Sequence, residues 1–330
     1  MAIFIPGKTK VPYGGVEFLT EDRTAIERVL DRNWWAIDTE CNEFEKELAE
    51  VNGSKYAVFI NSGTSALHLA FDSLELPKGS KVIVPAVSFP TPVASLIILG
   101  LKPVVVDVGA RTFVMDLEKV EKIVRYDKEI TAIMPVHAAG NPVDMPRLME
   151  IAERYGLLVV EDNCDGFGGK IGNKMVGSFG HLSCISTHAA HIVATGEGGV
   201  TFTNDEEIHE RLIQLRDWGR CVVTPSKEEK RNMGIPEDFS ARYIYPRLGY
   251  NLKPLELQAA MGRSQLKRLD SFVERRKNNF NFIRSTLEKY PEYFEIIEPT
   301  PGTEPCWFTI PFLVNGFSRE QFTQFLDSRN

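Results

Sequence analysis

Cysteine is scarce in this chain, with five in 330 residues, at positions 41, 164, 184, 221 and 306. An odd count at such spacings makes no disulfide framework, so a reducing compartment, the cytoplasm, is the expected setting. Basic residues are also in deficit: 38 Lys and Arg stand against 45 Asp and Glu, for a formal net charge of −7. That balance argues against a broad basic surface, and no nucleic-acid partner is expected. The N-terminus lacks the basic start, long apolar stretch and small-residue cleavage site of a signal peptide. Residues 82–101 carry no charge, but Pro85, Pro90 and Pro92 interrupt them, so no unbroken spanning helix and no membrane partner is expected. No internal repeat and no low-complexity tract is visible.

What is present reads as a globular protein: 43% of the residues are hydrophobic and 25% charged, ordinary values for a chain with a full core. Short β-rich runs at 56–60, 82–84, 104–107, 132–135, 157–161, 183–186 and 199–203 alternate with helical stretches near 64–76, 91–99, 115–125 and 145–155. This is the pattern of an α/β fold with a mostly parallel central sheet. The segment 221–247 is polar, with Lys227, Glu228, Glu229, Lys230 and Arg231 clustered, and reads as a long exposed loop. Pro254 suits the first turn of a long helix reaching Asn279. A strand at 307–314 and a helix opened by Ser318 with Gln321 three residues on complete the pattern. A large domain, residues 1–250 with an N-terminal helical segment, is thus expected before a smaller unit, residues 251–330.

Three motifs carry chemistry. Asn61-Ser62-Gly63-Thr64-Ser65 follows an apolar strand directly. Free N–H groups and hydroxyls at such a strand-to-helix turn bind phosphate, or make an ordinary N-cap. In Val160-Glu161-Asp162-Asn163-Cys164-Asp165, a carboxylate at the C-terminal end of a buried strand faces the crevice where α/β proteins place ligands. Asp162 there can hold a protonated ring nitrogen, or cap a neighbouring turn. In Ser186-Thr187-His188-Ala189-Ala190-His191, two histidines precede the glycine-rich run Thr195-Gly196-Glu197-Gly198-Gly199. No further ligands at metal-binding spacing accompany them, so no metal site is expected.

The order and spacing of these motifs resemble the DegT/DnrJ/EryC1/StrS family of sugar aminotransferases and dehydratases, which have the type I pyridoxal-phosphate fold, and the resemblance runs from Gly14 to the last residues. It implies that Gly63, Thr64 and Ser186 bind the cofactor phosphate. Phe89 would stack on the pyridine ring, Asp162 would pair with its nitrogen, and Asp165 would lie beside its hydroxyl. Asn251, in Gly249-Tyr250-Asn251-Leu252, would reach the phosphate of a neighbouring subunit, which implies a homodimer. His188, His137, Glu197 and Trp218 have weaker claims.

One departure bears on function. Aminotransferases of the family carry a Schiff-base lysine five residues before the first glycine of Thr-Gly-Glu-Gly-Gly, and here that position is His191. Histidine there resembles the nucleotide-sugar 3-dehydratase branch. That branch implies pyridoxamine phosphate as working cofactor, His191 as base, and loss of the C3 hydroxyl from a nucleotide-linked 4-keto-6-deoxyhexose. The stretches 215–220 and 248–253 look most like the CDP-4-keto-6-deoxyglucose 3-dehydrase group, whose members carry a [2Fe–2S] cluster. Cys164 and Cys221 match two of its ligands, but Val223 stands where a C-x-C pair would close, so the cluster is expected to be absent. Regeneration of the amine by L-glutamate then follows by analogy with the GDP-sugar dehydratases. An aminotransferase and a non-catalytic dimerising paralogue are the competing readings. Family members normally extend further, so a truncated chain with an incomplete α+β small domain is expected.

Overall fold

Six strands of the central sheet run one way and a single strand is reversed. The computed structural model describes Ile5, residues 8–11 and residues 14–329. Residues 1–4, 6, 7, 12, 13 and 330, which the expected domain ranges include, lie outside the described residues. Helices α1 (Thr20–Asp31) and α2 (Thr39–Asn52) lead into β1 (Tyr56–Ile60). Helix and strand then alternate through α3 (Gly63–Ser73), β2 (Lys81–Pro85), α4 (Pro90–Ile98), β3 (Lys102–Val106), α5 (Leu117–Tyr126), β4 (Ile130–Ile133), α6 (Met145–Tyr155) and β5 (Leu158–Asp162). A small hairpin, β6 (Lys170–Ile171) and β7 (Lys174–Met175), separates β5 from β8 (Leu182–Ser186), β9 (Gly199–Thr203) and α7 (Glu206–Arg216).

The seven-stranded sheet has the order β1-β9-β8-β5-β4-β2-β3. Strands β8, β5, β4, β2 and β3 pair in parallel. Strand β9 is antiparallel to both β1 and β8, so β1 shares the common direction. Both sheet faces are covered, which is why these strands read as nearly continuous apolar runs. The two-residue period sends Val58, Ile60, Val82 and Val84 to the face under α3, α4 and α7. Ala57 and Phe59 face α2 and the helix that begins at Glu256, while Ile83 joins the core under α5 and α6.

Local chemistry sets the helix ends. Ser62 caps α3 by accepting the Ser65 amide, Asp144 caps α6 through Arg147, and Asp205 caps α7 through Ile208. Gly53 and Gly156 close α2 and α6 in the left-handed conformation that favours glycine.

Beyond α7 the structure corrects several expectations. The polar segment 221–247 is not all loop: α8 (Lys227–Asn232) forms inside it behind a Ser226–Glu229 capping box. Its Lys230 is buried because the ammonium donates to the carbonyls of Glu237 and Phe239. The long helix after Pro254 is two, α9 (Glu256–Leu266) and α10 (Leu269–Leu287). The break falls where Arg268 turns back to Asp22, 2.8 Å away, and to the Glu17 carbonyl. Pro254 precedes the helix instead of opening it, and Leu255 is the N-cap residue. After β10 (Phe294–Ile296) and β11 (Thr303–Glu304), the strand expected at 307–314 shrinks to β12 (Phe312–Val314). Trp307 is instead buried, stacked on Phe280 at 4.0 Å. Strands β10 and β12 pair antiparallel, and α11 (Arg319–Asp327) follows behind the Ser318–Gln321 box.

Helix α2 has no side-chain cap of its own. The buried Glu256 carboxylate of α9 takes that role, accepting the amides of Asp38, Glu40 and Cys41 at 2.8 Å each. Glu256→Ala leaves three donors buried and unpaired. The expected loss is on the order of 3 kcal/mol in urea unfolding, with Glu256→Gln intermediate. A midpoint unchanged in the alanine variant would remove Glu256 from this role.

Candidate active site

The C-terminal ends of β1, β2, β5 and β8 converge on a cavity of about 530 Å³. This is where α/β sheets place ligands, because loops diverge there and helices begin. The lining includes Gly63 and Thr64 after β1, Phe89 after β2, Asp162 and Asp165 at β5, and Ser186 and His191 at β8. Seven of the eight site residues expected from sequence therefore meet in one place. Asn251 is not among the lining residues: it is exposed, its backbone bridges Asp217, and its side chain accepts from Lys253.

Helix α3 begins at the cavity, so its first-turn N–H groups are directed at the site. Gly63 is required by close approach, because a Cβ there would lie 2.7 Å from the Ser186 Cβ. Phe89 occupies the N-cap of α4 ahead of Pro90, and its ring is 72% exposed in the open cavity. A ring this exposed has a face free for stacking.

Asp162 lies deepest, 5% exposed. Its Oδ1 accepts the Cys164 amide at 3.1 Å, and its peptide pairs with Pro135 and His137 on the neighbouring loop. Burial pushes this carboxyl above the ordinary carboxylate range, and no Lys or Arg among the described residues lies within 4.0 Å to offset it. The preceding residue, Glu161, faces the other way. It accepts the amides of Gly177, Phe179 and Gly180 and binds His137 Nε2 at 3.0 Å, all within the core. His137 is thereby a structural residue that fixes the end of β5. A protonated pyridine nitrogen would supply the cation that Asp162 lacks, and the α3 terminus with Ser186 would hold a phosphate. The residues present fit pyridoxal phosphate.

His191 stands on a tight loop. Thr187 donates its amide to Gly198 and Ala189 to Gly196, the Thr187 and Thr195 hydroxyls meet at 2.7 Å, and Gln258 of α9 holds the Glu197 carbonyl. The imidazole packs on the Phe308 ring at 5.0 Å, and its Nδ1 lies 4.0 Å from Asp165 Oδ1 without a hydrogen bond. Burial, then the charges of Arg276 and His188, lower its pKa to about 4. Burial and the Asp162 charge raise Asp165 to about 6. The imidazole is thus neutral near pH 7, with its Nδ1 unpartnered. Among the described residues no lysine lines the cavity, and Lys170 and Lys174 lie exposed on the β6–β7 hairpin.

Phe308 and Arg276 had no sequence signal, since both arrive from the C-terminal part of the chain. Cys164 and Ser88 also line the cavity, whereas Trp218 lies elsewhere with the Lys253 ammonium 3.1 Å from its ring centre.

The fold and the cavity together are those of the type I pyridoxal-phosphate, aminotransferase-like class. Residues 18–330 match the model of the DegT/DnrJ/EryC1/StrS aminotransferase family, and the chain belongs to that family, which is pyridoxal-phosphate dependent. It is 36% identical to the lipopolysaccharide biosynthesis protein RfbH of Salmonella typhimurium, covering 98% of this chain and 78% of that protein. It is 34% identical to the dTDP-4-dehydro-2,6-dideoxy-D-glucose 3-dehydratase of Saccharopolyspora spinosa, over 99% and 74% of the two chains. A solved GDP-4-keto-6-deoxymannose 3-dehydratase with a trapped PLP–glutamate geminal diamine superposes with a TM-score of 0.86, at 29% identity, over 97% of this chain and 84% of that one. Among the described residues no helix is long and apolar enough to cross a membrane.

The two shifted groups oppose each other in their effect on stability. Between 3.8 and about 6 the folded chain holds the Asp165 proton that the unfolded chain has lost, so this contribution falls as pH rises. Between about 4 and 6.5 the unfolded chain holds the His191 proton, so this contribution rises with pH. Asp165→Asn should therefore steepen the gain of stability with pH, and His191→Asn should tilt it the other way. Each change is at most about 1.4 kcal/mol per pH unit across the window. Urea midpoints measured across the window read it, and parallel profiles for all three proteins would contradict both shifts.

Proposed function

We propose that this protein is a pyridoxamine-phosphate-dependent 3-dehydratase acting on a nucleotide-linked 4-keto-6-deoxyhexose in cytoplasmic deoxysugar synthesis. The observation that carries the reading is His191, a neutral imidazole with an unpartnered nitrogen at the position of the family's lysine, in a cavity lined by no lysine. Imidazole cannot replace an amine as the covalent anchor, but it is a competent proton carrier near neutral pH. When bound, the cofactor supplies the amine that condenses with the sugar ketone and the conjugated ring that withdraws electrons. Asp162 keeps the ring nitrogen protonated, and Phe89 covers the ring face. Gly63, Thr64 and Ser186 hold the phosphate. His191 would carry the proton at the C4′ position of the bound cofactor while the sugar C3 hydroxyl is lost, and the nearby Asp165 carboxyl, raised to about 6, would steady the charge on the imidazole. Similarity to two named 3-dehydratases supports this reading.

In this reading the working unit is a homodimer in which Asn251 of each subunit reaches the phosphate bound by the other, consistent with its exposure outside its own cavity. L-Glutamate restores the amine without iron, because Cys164 and Cys221 lack the two further cysteines that a four-ligand cluster needs.

Incubation with pyridoxal phosphate, L-glutamate and a panel of 4-keto-6-deoxy nucleotide sugars should give a sugar product one oxygen lighter, with no nitrogen retained. His191→Asn should lower turnover by about 10²- to 10⁴-fold. An amino-sugar product, or unchanged turnover in His191→Asn, would falsify the assignment.

A further inference from the structure

A second cavity, of about 270 Å³, adjoins the first and shares Ala190, His191 and Phe308 with it. One wall is main chain. Gly14 packs against Ala190, where a Cβ would come within 3.3 Å, and beside Gly15 a Cβ would meet open space. The amides of Gly14, Gly15 and Val16 donate to no protein group among the described residues. Helix α10 also lines the cavity, through Phe272, Arg275, Arg276 and Asn279.

Arg276 is half-buried, and among the described residues its guanidinium meets the Cys306 sulfur at 3.8 Å and the face of Phe308 at 5.6 Å. Among the described residues no carboxylate lies within 4.0 Å of it. Its neighbour Arg275, by contrast, is paired with Glu17 at 3.0 Å. A half-buried cation with no carboxylate in contact among the described residues, in a cavity that unpaired main-chain amides also line, forms a site for an anion. The Arg276 charge also reaches the main cavity, where it helps to keep His191 neutral and draws Asp165 downward.

A guanidinium fork matches a planar carboxylate with two parallel hydrogen bonds. Arg275 and Glu17 also line the cavity but meet each other's charge, so one unpaired fork remains, which suits one carboxylate better than a diphosphate. The position beside His191 also suits a molecule whose amino group must reach the cofactor in the adjoining cavity. We infer that this second cavity receives a carboxylate of the amine donor, an α-amino dicarboxylic acid such as L-glutamate, and that Arg276 is its specificity-determining residue. The inference rests on the function proposed above. In that exchange glutamate leaves as 2-oxoglutarate, and the amino group it loses is the one the pyridoxal form of the cofactor gains.

The direct test is calorimetric binding of glutarate, an unreactive dicarboxylate, to the pyridoxal-phosphate-loaded protein. Arg276→Gln should weaken glutarate about tenfold to a hundredfold with pyridoxal phosphate affinity unchanged, Arg276→Lys should recover part of it, and Lys277→Gln, exposed on the same helix, should match the unaltered protein. Conversion by L-glutamate, followed by cofactor absorbance, should show the same rise in KM. Equal glutarate affinity in Arg276→Gln overturns the inference, as does a loss confined to pyrophosphate or GDP, which would assign Arg276 to the nucleotide. Protein supplied with pyridoxamine phosphate needs no donor to dehydrate its sugar. Failure of that step would count against the proposed function, while the glutarate measurement would still decide the role of Arg276.

Discussion

A carboxyl group taken out of water at the end of β5, with no Lys or Arg beside it among the described residues, is the constraint on which the site is organised. Asp162 costs free energy where it lies, and the surrounding structure holds it there regardless. The Glu161–His137 pair locks the residue before it, and the crossing backbone bonds to Pro135 and His137 fix its own peptide. The parallel strands on either side leave it one open direction, into the cavity. A ligand that brings positive charge to that point, between the exposed Phe89 ring and the start of α3, would offset the cost of burying this carboxyl.

Around that point the strand directions divide the work. Because β1, β2, β5 and β8 point the same way, their terminal loops bring Gly63, Thr64, Phe89, Asp162, Asp165, Ser186 and His191 to one edge. The reversed β9 returns the glycine-rich run to the neighbourhood of Gly63, where a side chain on Gly199 would collide with Ser62. The His191 loop is closed by this return, through the Thr187–Gly198 and Ala189–Gly196 backbone bonds.

Most of this edge was legible in the sequence because each of its parts is local: a strand, a break at small or acidic residues, then a helix. Gly63, Thr64, Phe89, Asp162, Asp165, Ser186 and His191 sit in such segments, and counting residues from the glycine-rich run was enough to find the histidine. Phe308 and Arg276 were not legible, since nothing in their own neighbourhoods announces a contact made only after the C-terminal part packs against the sheet. The single long helix failed for a similar reason. Its break answers to Asp22 and Glu17, near the other end of the chain, and no local propensity records that pull. The buried Lys230 shows that a run of charges can fold when nearby carbonyls turn inward to receive one of them.

The carboxylate that caps α2 lies 216 positions beyond the Glu40 amide it receives. During synthesis, α2 therefore leaves the ribosome with its first-turn amides unfilled, and the central sheet is translated before Glu256 exists. The second long tie, between Asp22 and Arg268, closes later still. The N-terminal helices can be secured only once α9 and α10 have emerged, so the chain folds under late closure, with its loop-closure entropy to be met near the end of translation. Nascent chains halted before that point would expose the α2 side of the sheet, and chaperones recognise apolar surface of that kind.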